Sequence, residues 1–340
     1  MRIHLTIVSL FAIAAGTLLA QDQFRLTVDV NLVTVGVEVT DSNDRPVTNL
    51  KIDDFQIYED GVPQVIRSFD AVEAPYSILL LFDCSSSTEP NWPFLFEAMN
   101  RFTRTLRPQD RIAVAQFGSG FKMLQKWLVR SEAAVTVNIQ VGDASCSGTD
   151  FYGAVRRALE ELEVVKGRRG IIILTDGAHQ QIPYKSGRSA DALPGASRYV
   201  DAVDDSDFQK VLRSASRSAT ILYFVAIDTD LNPDAGRSGT TVGVGMFNPE
   251  EIFNKQQIRA RIEQLASATG GRAVYPDRPE DVVRLYEQMA KELGSLYSLG
   301  YAPATAANAP PKDGAFHKIE VRLRDKSLRL RQSRDGYSAR

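Results

Sequence analysis

The chain is predicted to fold as an α/β protein: a doubly wound, mainly parallel sheet with helices on both faces, plus a small β-sandwich formed by its N- and C-terminal strands. Three observations predict it. Two short, wholly apolar runs, Ile78 to Phe82 and Ile171 to Leu174, lead into the carboxylates Asp83 and Asp176, as strands buried on both faces of a parallel sheet do. Strands and amphipathic helical patterns alternate through the middle of the chain. At both ends the apolar residues alternate at period two instead.

Taken in order, Met1-Arg2-Ile3-His4 followed by apolar residues to Ala20 has the charged start, short apolar core and small-residue end of a secretory signal peptide, residues 1–20. Export to the periplasm or outside the cell is expected. The run is short for a membrane span, and no later stretch is long enough for insertion. Residues 21–74 read as β strands: alternation from Phe24 to Val39 flips phase between Leu32 and Val33, and Asp60-Gly61 marks a hairpin running from Phe55 to Phe69.

Residues 75–297 form the α/β unit. Helical patterns follow Asp83 (Leu95, Met99, Phe102, Leu106) and Asp150 (Phe151, Ala154, Val155, Ala158, Leu159, Leu162, Val165). Strands are expected over residues 112–117, 121–129, 171–175, 221–227 and 272–275, and further helices over 208–218, 258–268 and 281–296. Residues 298–340 return to alternation, notably Lys318 to Leu323 and Leu328 to Arg331. Half a sheet at each end cannot bury its own apolar face, so the two halves are expected to pair into one sandwich, with the α/β unit inserted in it. Insertions over 178–206 and 229–254 leave the carboxyl ends of strands, where α/β sheets bind ligands, and are expected to frame a partner surface.

The chemistry is concentrated at Asp83-Cys84-Ser85-Ser86-Ser87. D-x-S-x-S places three oxygen-bearing side chains on alternate positions after a buried strand, as a hard divalent cation requires. Alone, it also suits an ordinary capped turn into a helix. Two later stretches strengthen the cation reading: Ser147-Gly148-Thr149-Asp150 before a helix, and Thr175-Asp176-Gly177 after a buried strand.

On these residues the chain resembles the von Willebrand factor type A family, whose metal-ion-dependent adhesion site combines D-x-S-x-S with a distant Thr and a distant Asp. Asp83, Ser85, Ser87, Thr149 and Asp176 match all five positions in order. The resemblance covers roughly 76–297, including Ala268-Thr269-Gly270-Gly271-Arg272, and the flanking strands resemble VWFA-related proteins of acidobacterial type. It implies that the hydroxyls of Ser85, Ser87 and Thr149 contact the metal while Asp83 and Asp176 act largely through bound water. Octahedral oxygen coordination suits Mg²⁺ or Mn²⁺, with Ca²⁺ as a further option. Neutral hydroxyls leave the cation electrophilic, so a protein partner's Asp or Glu carboxylate is the expected ligand.

The chain has two cysteines, Cys84 and Cys146, one in each of two metal-bearing loops. They are either a disulfide across the site or two buried thiols. His179 is a conceivable extra ligand or a solvated loop residue, and Asp228 and Asp230 could hold a second cation or cap a loop. With Tyr184 and Arg188, these three are the candidates for the partner surface. Gly243-Val244-Gly245 does not lie between a strand and a helix and is no dinucleotide fingerprint.

A net charge of -2 gives no electrostatic footprint for nucleic acid. Catalysis is not expected: Ser85 stands where a phosphoryl-accepting D-x-D site needs its second carboxylate, and no G-x-S-x-G elbow is present. Two non-catalytic readings stay open, a metal-dependent binding module and a scaffold with an idle metal site.

Overall fold

A computed structural model describes residues 32–130, 146–179, 182, 184–186, 197–227, 249–278, 280–303 and 315–338. The described chain runs through β1 (Val33–Thr40), β2 (Phe55–Glu59), β3 (Val62–Gln64) and β4 (Ile66–Asp70). Next come β5 (Tyr76–Asp83), α1 (Trp92–Thr105), β6 (Arg111–Phe117), β7 (Phe121–Val129), α2 (Phe151–Glu163) and β8 (Arg168–Thr175). After the two-stranded ribbon β9 (Tyr184–Ser186) and β10 (Ser197–Tyr199) follow α3 (Ser206–Arg217), β11 (Thr220–Ala226), α4 (Pro249–Thr269), β12 (Ala273–Val274) and α5 (Asp281–Ser295). Strands β13 (Tyr297–Tyr301), β14 (Phe316–Leu323), β15 (Arg329–Gln332) and β16 (Gly336–Ser338) complete it.

The central sheet has the order β12-β11-β8-β5-β6-β7, parallel except for β7, which runs against β6. β5 sits between β8 and β6 and is buried at every position. Because side chains alternate across a strand, its even-numbered residues Ile78, Leu80 and Phe82 pack with α1 and α5. Leu79 and Leu81 face the opposite layer, with α2, α3 and α4. Each such aliphatic side chain contributes about 1.5–3 kcal/mol on leaving water, so this two-sided burial anchors the element that ends at Asp83.

The strands outside this unit form two four-stranded antiparallel sheets, β15-β1-β13-β4 and β16-β14-β2-β3. Inward residues of both, including Val35, Val37, Ile57, Leu299, Ile319 and Val321, share one core. The phase flip expected at Leu32 falls at the edge of the described residues, β1 itself being continuous from Val33.

Three elements differ from expectation. The hairpin after Asp60-Gly61 is not one strand to Phe69: β3 pairs with β2 only through Gln64, and β4 crosses into the other sheet beside β13. Pro63 lacks an N–H for a further ladder and sits on an edge strand, where that costs nothing. Helix α4 starts at Pro249, nine residues before the expected start and inside the expected second insertion. Its first residues, Pro249-Glu250-Glu251, suit a helix N-terminus but carry little apolar periodicity. β12 shortens to two residues paired with Phe224 and Val225 of β11.

Candidate metal centre

Asp83 closes β5 with its side chain 0% exposed. Its Oδ1 accepts from the Ser85 backbone N–H (2.9 Å), and its Oδ2 accepts from the Thr175 hydroxyl (2.9 Å). The first contact curls the chain after β5 so that Ser85 and Ser87 face the same point. Their hydroxyl oxygens lie 3.1 Å apart. The Ser87 hydroxyl then donates to Asp176 Oδ2 at 2.6 Å, joining the loop after β5 to the loop after β8. Asp176 is held in turn by the Ala178 N–H on its Oδ1 (2.9 Å).

Two threonines that sequence reasoning passed over hold this arrangement. Thr175 uses its hydroxyl twice, donating to Asp83 and accepting from the Gly177 N–H (2.9 Å). Thr88 is fully buried, its hydroxyl 2.7 Å from the Asp83 carbonyl and 2.9 Å from the Ser85 carbonyl while accepting from Trp92 Nε1 (3.3 Å). Their only sequence signal is position, one residue before Asp176 and one after Ser87. Gly177 has φ +71°, and a Cβ there would sit 2.6 Å from Ile258 and Ile262 of α4, so the turn after Asp176 needs glycine.

Thr149 reaches the same end of the sheet by a different route. Cys84 and Cys146 form a disulfide, with Cα atoms 5.1 Å apart across 62 residues, which settles the choice between bonded and free thiols. The Cys84 N–H donates to the Phe117 carbonyl (2.7 Å) and the Asp150 N–H to the Gly118 carbonyl (2.6 Å), so both loops hang on the end of β6. Asp150 also caps α2 through the Gly153 N–H (3.0 Å). The structure therefore links Asp83, Ser85, Ser87 and Asp176 through one hydrogen-bonded chain, and Thr149, in the loop tied on by the disulfide, makes no hydrogen bond to the four among the described residues.

The electrostatics suit a dication. Neither Asp83 nor Asp176 pairs with a lysine or arginine among the described residues. Burial first, and then the Asp176 charge, push the Asp83 carboxyl up to about 7. A buried carboxylate beside a second one, ringed by hydroxyls, is a hard-oxygen set that gains when a divalent cation replaces the proton.

His179 is corrected by the structure, being buried and not displayed to a partner. It is 5% exposed, its ring packed at a tilt against Tyr152 with centroids 3.9 Å apart, and its Nδ1 lies 3.8 Å from Asp150 Oδ1. Tyr152 is fixed by Asp205 (2.9 Å) and Arg261 (3.0 Å), so the imidazole lies against a rigid buried group. Burial holds its pKa below the usual histidine value. A loop position gives no sign of this, because Tyr152 and Asp205 are distant in sequence. Tyr184 lies in β9, its backbone paired with Tyr199. Arg188, Asp228, Asp230 and Gly243-Val244-Gly245 fall outside the described residues.

No curated protein matches the chain significantly. Among solved structures, the pilus adhesin SpaC from Lactobacillus rhamnosus GG, in its open conformation, aligns with TM-score 0.46 and 10% identity, over 89% of this chain and 47% of the adhesin. The chain thus spans about half the length of that protein. A von Willebrand factor type A protein from Catenulispora acidiphila aligns with TM-score 0.42 and 12% identity over 90% and 72% of the two chains. Proximal thread matrix protein 1 from the mussel byssus, solved with a zinc-occupied MIDAS motif, aligns with TM-score 0.40 and 12% identity over 69% and 49%. Residues 76–233 match the family model described as von Willebrand factor type A domain, and this part of the chain, with β5 at the centre of its sheet, is a von Willebrand factor type A domain.

Proposed function

We propose that the chain is an exported protein-binding module of adhesion type, which captures a partner carboxylate through a divalent cation held by Asp83, Ser85, Ser87, Thr149 and Asp176. The observation that carries the reading is the 2.6 Å contact from Ser87 to Asp176, which draws the ends of two neighbouring parallel strands onto one point. Asp83 and Asp176 would supply negative charge there, and the three hydroxyls would supply neutral oxygens. When bound, Mg²⁺ or Mn²⁺, or the larger Ca²⁺, offers an electrophilic coordination position to an anionic oxygen. The disulfide supports an oxidising compartment, in keeping with export to the periplasm or beyond. Among the described residues no helix is long and apolar enough to cross a membrane.

A second reading, a scaffold in which the cation site is idle, is favoured by the same contact seen differently: Ser87 and Asp176 already satisfy each other. Peptide selection on the immobilised chain separates the two. In millimolar Mn²⁺ the module should recover peptides sharing an Asp or Glu, released by EDTA and abolished by Asp→Asn or Glu→Gln in the peptide. Binders indifferent to EDTA and to Ser85→Ala would favour the scaffold.

A further inference from the structure

We propose that Glu59, Asp60 and His317 form a second cation site, in the β-sandwich and independent of the loop site, suited to a first-row transition dication such as Zn²⁺. The three present one nitrogen and two carboxylate oxygens within 4.8 Å of one another. One imidazole with two carboxylates is a mixed donor set of the kind zinc accepts, with a fourth position left for water.

Register, not proximity in sequence, brings them together. β14 runs against β2 with Ile319 opposite Glu59, and the Asp60 N–H donates to the Lys318 carbonyl (2.9 Å). The alternation that buries Phe55 and Ile57 on β2 buries Glu59 as well, and on β14 it buries His317 with Ile319 and Val321. A carboxylate thus occupies a core position. Its side chain is 8% exposed, and no lysine or arginine among the described residues lies within ion-pair distance of it.

Glu59 and Asp60 are each held through one oxygen, with the other near His317 Nδ1. Glu59 Oε2 accepts from the hydroxyls of Tyr301 (2.6 Å) and Tyr337 (3.2 Å), while no described donor bonds Oε1, which lies 3.9 Å from His317 Nδ1. Asp60 Oδ1 accepts from the Lys318 N–H (2.8 Å), and Oδ2 lies 2.8 Å from the same Nδ1. The His317 ring is stacked on Tyr337. Outer contacts that fix ligands in this way are half of a metal site. A tetrahedral ion with bonds of about 2.0–2.1 Å needs donor atoms about 3.3 Å apart. The observed 2.8 and 3.9 Å bracket that spacing. Binding would replace the Nδ1–Oδ2 hydrogen bond.

The test is zinc titration of untagged protein against a chromophoric chelator at neutral pH, in an Asp176→Ala background that impairs the loop site, with Co²⁺ absorption as a second readout. One equivalent should bind, with tetrahedral Co²⁺ bands. Glu59→Gln, which keeps shape and an oxygen for the tyrosines, and His317→Ala should each weaken uptake at least tenfold and bleach those bands. Glu59→Gln in otherwise wild-type protein should leave the Mg²⁺ response unchanged, so either site can fail without the other. No stoichiometric uptake in the Asp176→Ala protein, or uptake unaltered by both sandwich substitutions, would overturn the proposal.

Discussion

The two polar centres of this chain are built in opposite ways. At the carboxyl end of the central sheet, oxygen donors lie on loops, and rigidity comes from beneath, from β5 and β8 buried on both faces. In the sandwich, Glu59 and His317 lie on strands within the packed layer, and rigidity comes from the tyrosines around them. The loop centre offers hard oxygens only and faces outward through Ser87, which is exposed. The sandwich centre mixes nitrogen with oxygen, its Glu59 and His317 buried and its Asp60 at the surface. Loops on a rigid base suit a site that must meet a partner, and a strand-borne cluster suits a staple.

The largest expected effect breaks the loop centre alone. Replacing both cysteines, Cys84→Ser with Cys146→Ser, removes a closure of 62 residues, for which chain entropy predicts a loss of about 4 kcal/mol in urea unfolding. The Mn²⁺ response should weaken with it, because the segment carrying Thr149 loses its tie to D-x-S-x-S. An unchanged Mn²⁺ affinity would mean that the disulfide serves stability only.

Tyr301→Phe sharpens the other side of the comparison. It removes the shorter donor to the buried Glu59 carboxylate and should cost about 2 kcal/mol while leaving the Mg²⁺ response intact. Thr88→Val is its counterpart in the loop. It strips the hydroxyl between the Asp83 and Ser85 carbonyls and leaves Trp92 Nε1 without an acceptor, at about 1–2 kcal/mol, and should also lower cation affinity.

What was legible in the sequence follows the same division. Asp83, Ser85 and Ser87 are consecutive alternate residues after a buried strand, so their shared direction shows in one stretch, and the apolar runs into Asp83 and Asp176 announce neighbouring strands. Glu59 and His317 meet only through the register of β2 with β14, which no local pattern encodes. His179 is misplaced by the same token, since its burial depends on Tyr152, itself held by Asp205 and Arg261. The early start of α4 is hidden for a different reason: its first turns carry no strong apolar stripe.

A pH dependence is expected as well. Because the folded-state pKa of Asp83 is raised from 3.8 to about 7, the metal-free fold keeps that contribution below pH 4 and loses it as pH rises through 7. Unfolding midpoints in EDTA should therefore fall between pH 4 and 7, and Asp83→Asn should flatten that fall. Millimolar Mg²⁺ should oppose the loss most at the upper end, where the carboxylate is ionised.

The measurement that bears most directly on the loop site is thermal unfolding of the chain in EDTA and in millimolar Mg²⁺ or Mn²⁺, with Asp83→Ala alongside. A cation at 100 times its dissociation constant should stabilise the native state by about 2.7 kcal/mol, and the shift should vanish in Asp83→Ala. Equal midpoints with and without cation in the wild type, or a shift that survives in Asp83→Ala, would contradict the assignment of the five residues as a metal site.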